Sequence, residues 1–178
     1  GIVSVMPDCE TILLPIGDGG DGVLETLVSA LNGKYIPVKV HNPLMETIES
    51  QYGISGDGKT ALIEMAAASG LTLVAADKRN PWLTTTLGTG ELIKDALNKG
   101  CRDFIIGIGG SATNDAGLGM LQALGFRFLD KDGNELGSGG KIMQDVVDVD
   151  TSNIHPALKN SQFTVACDVN NPFYGKQG

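Results

Sequence analysis

The sequence predicts an α/β fold made of a Rossmann-like parallel sheet domain portion and an inserted mixed-sheet α/β domain. Short apolar runs typical of strands alternate with longer runs whose apolar residues recur at helical spacing, and glycine-rich loops join them. Between residues 47 and 65 two strand-like runs follow each other without a helix, which indicates a mixed sheet. We expect residues 1–60 to form part of the first domain and residues 61–178 to form the inserted domain, incomplete at its C-terminus.

The first third of the chain predicts a strand and a helix, followed by three strands. Apolar residues crowd 10–16, as in a buried strand, and recur at helical spacing over 23–31. Polar and apolar residues alternate over 35–40, and the turn sequence at 55–58 predicts a hairpin. The predicted elements are, in order, a strand at 10–16, a loop at 17–22, a helix at 23–31 and strands at 35–40, 47–54 and 59–65.

The rest of the chain continues as alternating helices and short strands. A helix is predicted at 89–98 because its apolar residues share one face and Gly100 follows as a stop. The predicted elements are, in order, a helix at 89–98, a strand at 104–106, a loop at 107–114, a helix at 118–124, a strand at 126–129 and a buried strand at 163–167.

Composition and charge exclude several classes of protein. The net charge is −8 and no basic patch is visible, so a nucleic-acid partner is not expected. No apolar run approaches the ~20 residues of a membrane helix, so no membrane association is expected. The three cysteines match neither a disulfide framework nor a zinc site, which predicts a reduced, cytoplasmic location. With only two histidines, catalysis by histidine is not expected, and His41 is predicted to be structural.

Three unusually polar loops follow predicted strands, at 17–22, 107–115 and 168–171. In α/β folds, ligands collect at the carboxyl ends of the strands. The three loops are therefore expected to meet in one ligand site.

The loop at 17–22 combines glycines with two acidic residues. Glycine lets backbone N–H groups face a ligand, and two carboxylates suit Mg²⁺ together with a hydroxyl-bearing substrate. Helix capping explains Asp21 equally well. We predict Asp18 to be a catalytic and metal-binding residue, and Gly19, Gly20 and Asp21 to bind substrate or phosphate.

The loop at 107–115 follows a strand and opens a helix, which is the arrangement that binds phosphate. Its spacing also fits the dinucleotide fingerprint, with Asp130 as the acid ~20 residues on, so an NAD-dependent oxidoreductase is an alternative. Asp115 would repel a pyrophosphate unless a cation intervenes, which favours phosphate plus metal, although a tight turn capped by Asp115 stays open. We predict Asp115 to be catalytic and metal-binding. The predicted phosphate-binding residues are Gly107, Gly109, Gly110, Ser111, Thr113 and Asn114.

Three further polar residues are candidates for substrate or phosphate binding. Glu64 lies in an otherwise apolar stretch, where burial of a carboxylate is costly, and an outward-facing position is the equal alternative. Thr89 either contacts the substrate or caps a helix. Asp168 follows the last predicted strand, next to two asparagines that Asx turns also explain.

Five segments of the chain resemble the bacterial-type glycerate kinase family, which differs from the P-loop kinases. They occur in family order and cover nearly the whole chain. Where the family has A-D-G-G-E-G-T, this chain has Gly17, Asp21 and Val23, which shortens the reach of one acid and removes one hydroxyl. The segments are PIGDGGDGV at 15–23, EMAAASGL at 64–71, TTTLGTGELI at 84–93, IGIGGSATNDAGLGMLQALG at 106–125 and ACDVNNPFYG at 166–175.

The resemblance implies an ATP- and Mg²⁺-dependent kinase of D-glycerate, with two α/β domains and the site between them. It also implies that the chain is a fragment, which lacks the family's N-terminal strand, its Ser-Phe-Lys loop and its C-terminal part. Without that lysine, neutralisation of the phosphates would be incomplete and the fragment could be inactive alone. The expected partners are glycerate and ATP, with a homodimer as a candidate assembly. A non-catalytic sensor of sugar acids is a further alternative.

Overall fold

A five-stranded mixed sheet forms the centre of the protein. The structure is a computed structural model, and it describes residues 1–12, 20, 22–167, 169, 170, 172, 175 and 176. The strands of this sheet are β1 (Lys34–His41), β2 (Thr47–Ile54), β3 (Thr60–Glu64), β4 (Asp103–Gly107) and β7 (Gln162–Ala166). They lie side by side in the order β1-β2-β3-β4-β7. The α/β class and the mixed sheet predicted from the sequence are confirmed.

The antiparallel half of the sheet consists of consecutive hairpins. β1 pairs with β2, and β2 pairs with β3, in both cases antiparallel. In the turn between β2 and β3, the Asp57 carboxylate accepts hydrogen bonds from the Ser55 hydroxyl at 2.6 Å and from the Lys59 amide at 3.1 Å. Because these bonds form within five residues of one another, the turn sequence alone was sufficient to predict the hairpin.

The other half of the sheet is parallel, since β3 pairs with β4 and β4 with β7 in the same direction. Parallel neighbours need long crossover connections. The first crossover contains α3 (Ala66–Ser69) and α4 (Leu87–Asn98). The second contains α5 (Leu118–Ala123) and a separate antiparallel pair formed by β5 (Arg127–Leu129) and β6 (Asp148–Asp150).

Helices cover both faces of the sheet. Successive residues of a strand point to opposite faces, and β3 follows this rule. Leu62 packs with Leu24 and Val28 of α2 (Val23–Ala30), whereas Ile63 belongs to a larger buried cluster with the apolar side of α4. The remaining helices are α1 (Ile2–Val5) and 3₁₀ segments at Leu71–Leu73, Ala76–Lys78, Gly140–Gln144 and Pro156–Asn160.

The prediction that the last strand is buried was wrong. β7 is the outer strand of the described sheet, and Phe163 and Val165 are 42% and 54% exposed. Phe163 stacks on Phe104 of the neighbouring strand, with ring centroids 4.7 Å apart. An apolar run predicts a strand, but it does not tell which faces of that strand other elements cover.

Two expectations stay predictions: the strand and loop at 10–22, and the domain boundary. Residues 13–16 of the predicted strand at 10–16 lie outside the described residues, as does most of the loop at 17–22. The expected domain boundary at residues 60 and 61 falls within β3, and it stays a prediction. Among the helices that the structure describes, none is both long and apolar enough to cross a membrane.

Candidate active site

The carboxyl ends of the three parallel strands lie together at one edge of the sheet. Glu64, the last residue of β3, is paired with Gly107 of β4, and Gly107 is paired with Ala166 of β7. Adjacent strands are about 4.8 Å apart, so the loops that follow these residues leave the sheet side by side. The loop at 107–115 and the chain that follows β7 at Cys167 therefore start side by side. The meeting of all three loops in one ligand site stays a prediction.

The end of the glycine-rich loop at 17–22 reaches the same edge through Glu64. The Glu64 carboxylate accepts hydrogen bonds from the Gly22 amide at 3.1 Å and from the Leu24 amide at 3.0 Å. A carboxylate at this position satisfies the free N–H groups of the first turn of α2 and interacts favourably with the helix dipole. Glu64 therefore caps α2 from a neighbouring strand and joins the loop to the sheet.

Glu64 also lines a cleft of about 210 Å³ with both polar and apolar walls, which are formed by Gly22, Leu24, Glu25, Tyr35, Gln51 and Ala67. The Glu64 side chain is only partly buried, so it is neither fully buried nor fully exposed to solvent. Its predicted contact with substrate or phosphate stays a prediction. Gly20 lies close by, because its carbonyl accepts a hydrogen bond from the Val23 amide at 3.2 Å. Asp18, Gly19, Asp21 and Asp168 lie outside the described residues.

The loop at 107–115 carries a row of uncommitted backbone N–H groups. Within the described residues, the amides of Gly109, Gly110 and Ser111 donate no hydrogen bond. Gly110 has φ +71°, a left-handed conformation that glycine adopts at little cost. Consecutive N–H groups around a left-handed residue form a concave nest that binds anions.

Neighbouring segments hold this loop in place. The Leu71 amide donates to the Gly110 carbonyl at 2.8 Å, and the Ala112 amide donates to the Ser69 carbonyl at 2.9 Å. The Ser111 and Thr113 hydroxyls lie 2.7 Å apart and bond each other. The hydroxyls predicted to bind phosphate thus also stabilise the shape of the loop.

Asp115 is deeply buried, with 1% of its surface exposed. Its carboxylate accepts hydrogen bonds from the Thr86 amide at 2.8 Å, the Gly117 amide at 3.1 Å and the Gly119 amide at 3.2 Å. The hydroxyls of Thr85 and Thr86 donate to it as well. This geometry favours the alternative in which Asp115 fixes the turn into α5, because its oxygens are already used by donors. Its catalytic and metal-binding roles stay predictions.

The three threonines at 84–86 connect the loop to the start of α4, a role that the sequence did not indicate. The Thr84 hydroxyl donates to the Ala112 carbonyl at 2.8 Å, and the Thr86 hydroxyl accepts from the Met120 amide at 2.9 Å. The Thr-Thr-Thr run before a glycine-containing helix was the only signal available. Thr89 is buried as well, with its hydroxyl 2.7 Å from that of Ser69. Its predicted contact with substrate stays a prediction.

The described residues supply few ligands for a cation. They contain no group of three or more His, Cys, Asp or Glu side chains placed to hold a metal ion. At the carboxyl edge, Glu64 is committed to two amides and Asp115 to five donors. The other acidic candidates lie outside the described residues, so the Mg²⁺ site stays a prediction.

Asp130 does not occupy the place that a dinucleotide site requires. It follows β5, which belongs to the separate two-stranded sheet and not to the parallel one. Its carboxylate accepts from the amides of Asp132 and Asn134 at 2.9 and 2.8 Å, and these bonds lower the pKa of the Asp130 carboxyl. The ribose-binding acid of a dinucleotide site lies at the carboxyl edge of the parallel sheet, so this residue is better explained by its own turn.

Comparison with known proteins identifies the family of this chain. A model of the family described as the glycerate kinase family matches residues 1–178, the entire chain. The chain belongs to the glycerate kinase family. This confirms the family that the five sequence segments indicated.

Relatives in the glycerate kinase family are similar along the whole chain. It is 53% identical to the glycerate kinase of Haemophilus influenzae and 51% identical to the glycerate 2-kinase of Escherichia coli, over 178 residues in both cases. A crystal structure of the protein assigned as glycerate kinase 2 from Salmonella typhimurium superposes with a TM-score of 0.88 at 46% identity, over 99% of this chain. The chain spans about half, 47%, of the length of each of these relatives.

Proposed function

We propose that this chain forms the phosphate-binding wall of a glycerate kinase, which transfers the γ-phosphoryl group of ATP to a hydroxyl of D-glycerate with Mg²⁺. The names of relatives at about half identity support the reaction class, and the family match covers all 178 residues. Since the chain spans 47% of those relatives, the complete reaction is proposed for the family-length protein.

The observation that carries this proposal is the row of free amides at Gly109, Gly110 and Ser111. A triphosphate is multiply charged, and backbone N–H groups can bind its oxygens without the desolvation cost of a buried lysine or arginine. The loop is tied to residues 69–71 before any ligand arrives, so its donors are already oriented. Preorganised donors of this kind account for much of the stabilisation of a transferring phosphoryl group.

The cleft beside Glu64 is the proposed place for glycerate. It lies at the tip of β3, next to the tip of β4 from which the amide loop leaves. In the transfer, the glycerate hydroxyl oxygen bonds to the γ-phosphorus, the bond from that phosphorus to the ADP oxygen breaks, and the hydroxyl proton passes to a carboxylate. We assign that carboxylate to Asp18, which precedes Gly22 in the loop that Glu64 holds. Bound Mg²⁺ would neutralise charge on the phosphate oxygens.

The oxidoreductase alternative loses its support, because Asp130 follows β5 of the separate two-stranded sheet and does not lie at the carboxyl edge of the parallel sheet. The sensor alternative predicts tight binding of glycerate without turnover of ATP. A coupled assay for ADP release by the family-length protein, with glycerate and two other hydroxy acids as acceptors, separates these classes. Glycerate-dependent ADP release supports the kinase, whereas binding of glycerate without release supports the sensor.

A matched pair of glycine variants tests the amide row. Gly110→Ala places a side chain in a left-handed conformation within the loop, and Gly133→Ala does the same in a remote turn, at φ +79°. Both should lose about 1 kcal/mol of stability. Only Gly110→Ala should weaken ATP binding in calorimetry, by about tenfold or more, because the N–H groups would be displaced. Equal ATP affinities in the two variants would remove the loop from phosphate binding.

A further inference from the structure

An apolar cavity lies beside the far end of the loop at 107–115. It has a volume of about 200 Å³ and is lined by Pro81, Trp82, Asn114, Gly140 and Met143. Trp82 and Met143 are 57% and 41% exposed, so both present apolar surface to the solvent. An indole ring and a thioether at a cavity mouth form a surface suited to a flat aromatic ligand.

The walls of this cavity are held by the backbone. The Lys141 amide donates to the Trp82 carbonyl at 3.0 Å. A Cβ atom added at Gly140 would lie 2.5 Å from the Pro81 carbonyl oxygen and 2.8 Å from that of Asn114. Three distant segments therefore approach each other closely at a glycine, and this contact fixes the separation between Trp82 and the loop.

Asn114 supplies the polar group of the cavity. Its side chain is exposed, and in the described part of the chain its amide makes no hydrogen bond. The side-chain amide of asparagine presents an NH₂ donor group and a carbonyl acceptor in the same plane, which matches the N7 acceptor and N6 donor edge of adenine. The cavity is smaller than the ~300–1,000 Å³ of sites that enclose drug-sized ligands, so it suits a single base and not an entire nucleotide.

We propose that this cavity binds the adenine ring of ATP, with Trp82 stacked on the base and Asn114 bonded to its edge. This inference rests on the proposed function, since the phosphates would then lie on the amides of 109–111. The backbone from Gly110 to Asn114 spans at most ~14 Å, a distance that a ribose and its phosphates can bridge.

The fluorescence of Trp82 tests the proposal directly, because it is the only tryptophan of the chain. The probes are adenosine, ATP and inorganic triphosphate. Adenosine and ATP should both quench the emission in a saturable manner, whereas triphosphate, which has no base, should leave it unchanged. Unchanged emission with adenosine, in protein that binds ATP by calorimetry, would overturn the proposal and leave the kinase proposal standing.

Two variants test the role of the individual side chains. Asn114→Ala should weaken adenosine binding about tenfold or more and reduce the preference for adenosine over guanosine. Leu83→Ala is the matched control, because Leu83 is the exposed neighbour of Trp82 and does not line the cavity. It should bind adenosine like the unaltered chain. Equal adenosine affinity in Asn114→Ala and the control would overturn the assignment of Asn114.

The proposal can also survive the failure of the proposed function. Saturable quenching by adenosine that is weakened by Asn114→Ala, together with no glycerate-dependent ADP release by the family-length protein, would establish the base site and contradict the kinase proposal. An unchanged KM for ATP in Trp82→Ala, together with full turnover, would contradict the base site alone.

Discussion

Replacement of Asp115 provides a strong test of whether this residue is structural. The carboxylate is 1% exposed and accepts from the amides of Thr86, Gly117 and Gly119. Asp115→Ala would leave these three amides without an acceptor, at about 1–3 kcal/mol for each buried group. Local relaxation and entry of water offset part of this sum, so we expect a loss of about 4 kcal/mol in the free energy of unfolding. That is a large fraction of the ~5–15 kcal/mol typical of a domain.

Milder substitutions keep this prediction measurable if the alanine variant does not fold. Asp115→Asn keeps one acceptor but points an NH₂ group at donors, so it should lose about 2–3 kcal/mol. Thr86→Val removes one hydroxyl that bonds both Asp115 and the Met120 amide, and it should lose about 1–2 kcal/mol. Because the two residues share hydrogen bonds, the double variant should lose less than the sum.

Urea unfolding followed by circular dichroism measures these changes. Asp132→Asn is the matched control, since Asp132 is exposed and its carboxylate makes no hydrogen bond within the described residues. The control should stay within about 0.5 kcal/mol of the unaltered chain. A similarly small effect in Asp115→Asn would refute the structural role and favour the metal-binding role predicted from the sequence.

Three other predictions concern packing, thiol chemistry and pH. Gly119→Ala should lower the free energy of unfolding by about 1–3 kcal/mol in thermal unfolding, because the added Cβ would lie 2.7 Å from the backbone nitrogen of Leu87. The control Gly137→Ala has open space around the added Cβ and should lose less than about 1 kcal/mol. Cys101 is fully buried, and burial raises the pKa of its thiol. Ellman's reagent should therefore label the exposed Cys167 at least about a hundredfold faster than Cys101. Equally fast labelling of Cys101 would contradict its buried position. Hydrogen bonds from turn amides lower the pKa of the Asp130 carboxyl in the folded chain. The contribution of Asp130 to stability is therefore complete above the unfolded pKa and is lost as the pH falls below about 4. In urea unfolding, Asp130→Asn should show a smaller change in stability between pH 6 and pH 3 than the unaltered chain.

Local patterns explain which elements could be predicted. The hairpin between β2 and β3 depends on a turn whose hydrogen bonds join Ser55, Asp57 and Lys59, all within the turn itself. The helix α4 depends on apolar residues at a period that is visible in the sequence. The edge of the parallel sheet could also be anticipated, because the direction of strand–loop–helix units places their loops at the carboxyl ends.

Contacts between distant residues explain what could not be predicted. Thr86 lies 29 residues before Asp115, and Gly22 lies 42 residues before Glu64. No local sequence pattern indicates that these groups form hydrogen bonds with one another. From the sequence alone, the carboxylates of Asp115 and Glu64 therefore had both a catalytic and a structural interpretation. For the same reason the sequence did not indicate that Trp82 and Asn114 line one cavity, nor that β7 is the outer strand of the described sheet.

The fastening of the loop at 107–115 has a thermodynamic consequence for any anion that it receives. Its first residue is part of β4, Gly110 is bonded to Leu71, and Asp115 is bonded to Thr86. Ordering a free loop would cost about 1–2 kcal/mol of conformational entropy per residue. Here the loop is already ordered in the folded chain, so ligand binding does not include this cost. The binding free energy from each hydrogen bond between an N–H group and the ligand is therefore not reduced by loop ordering. Heating should weaken the binding of the ligand less than it would for a loop that becomes ordered only on binding.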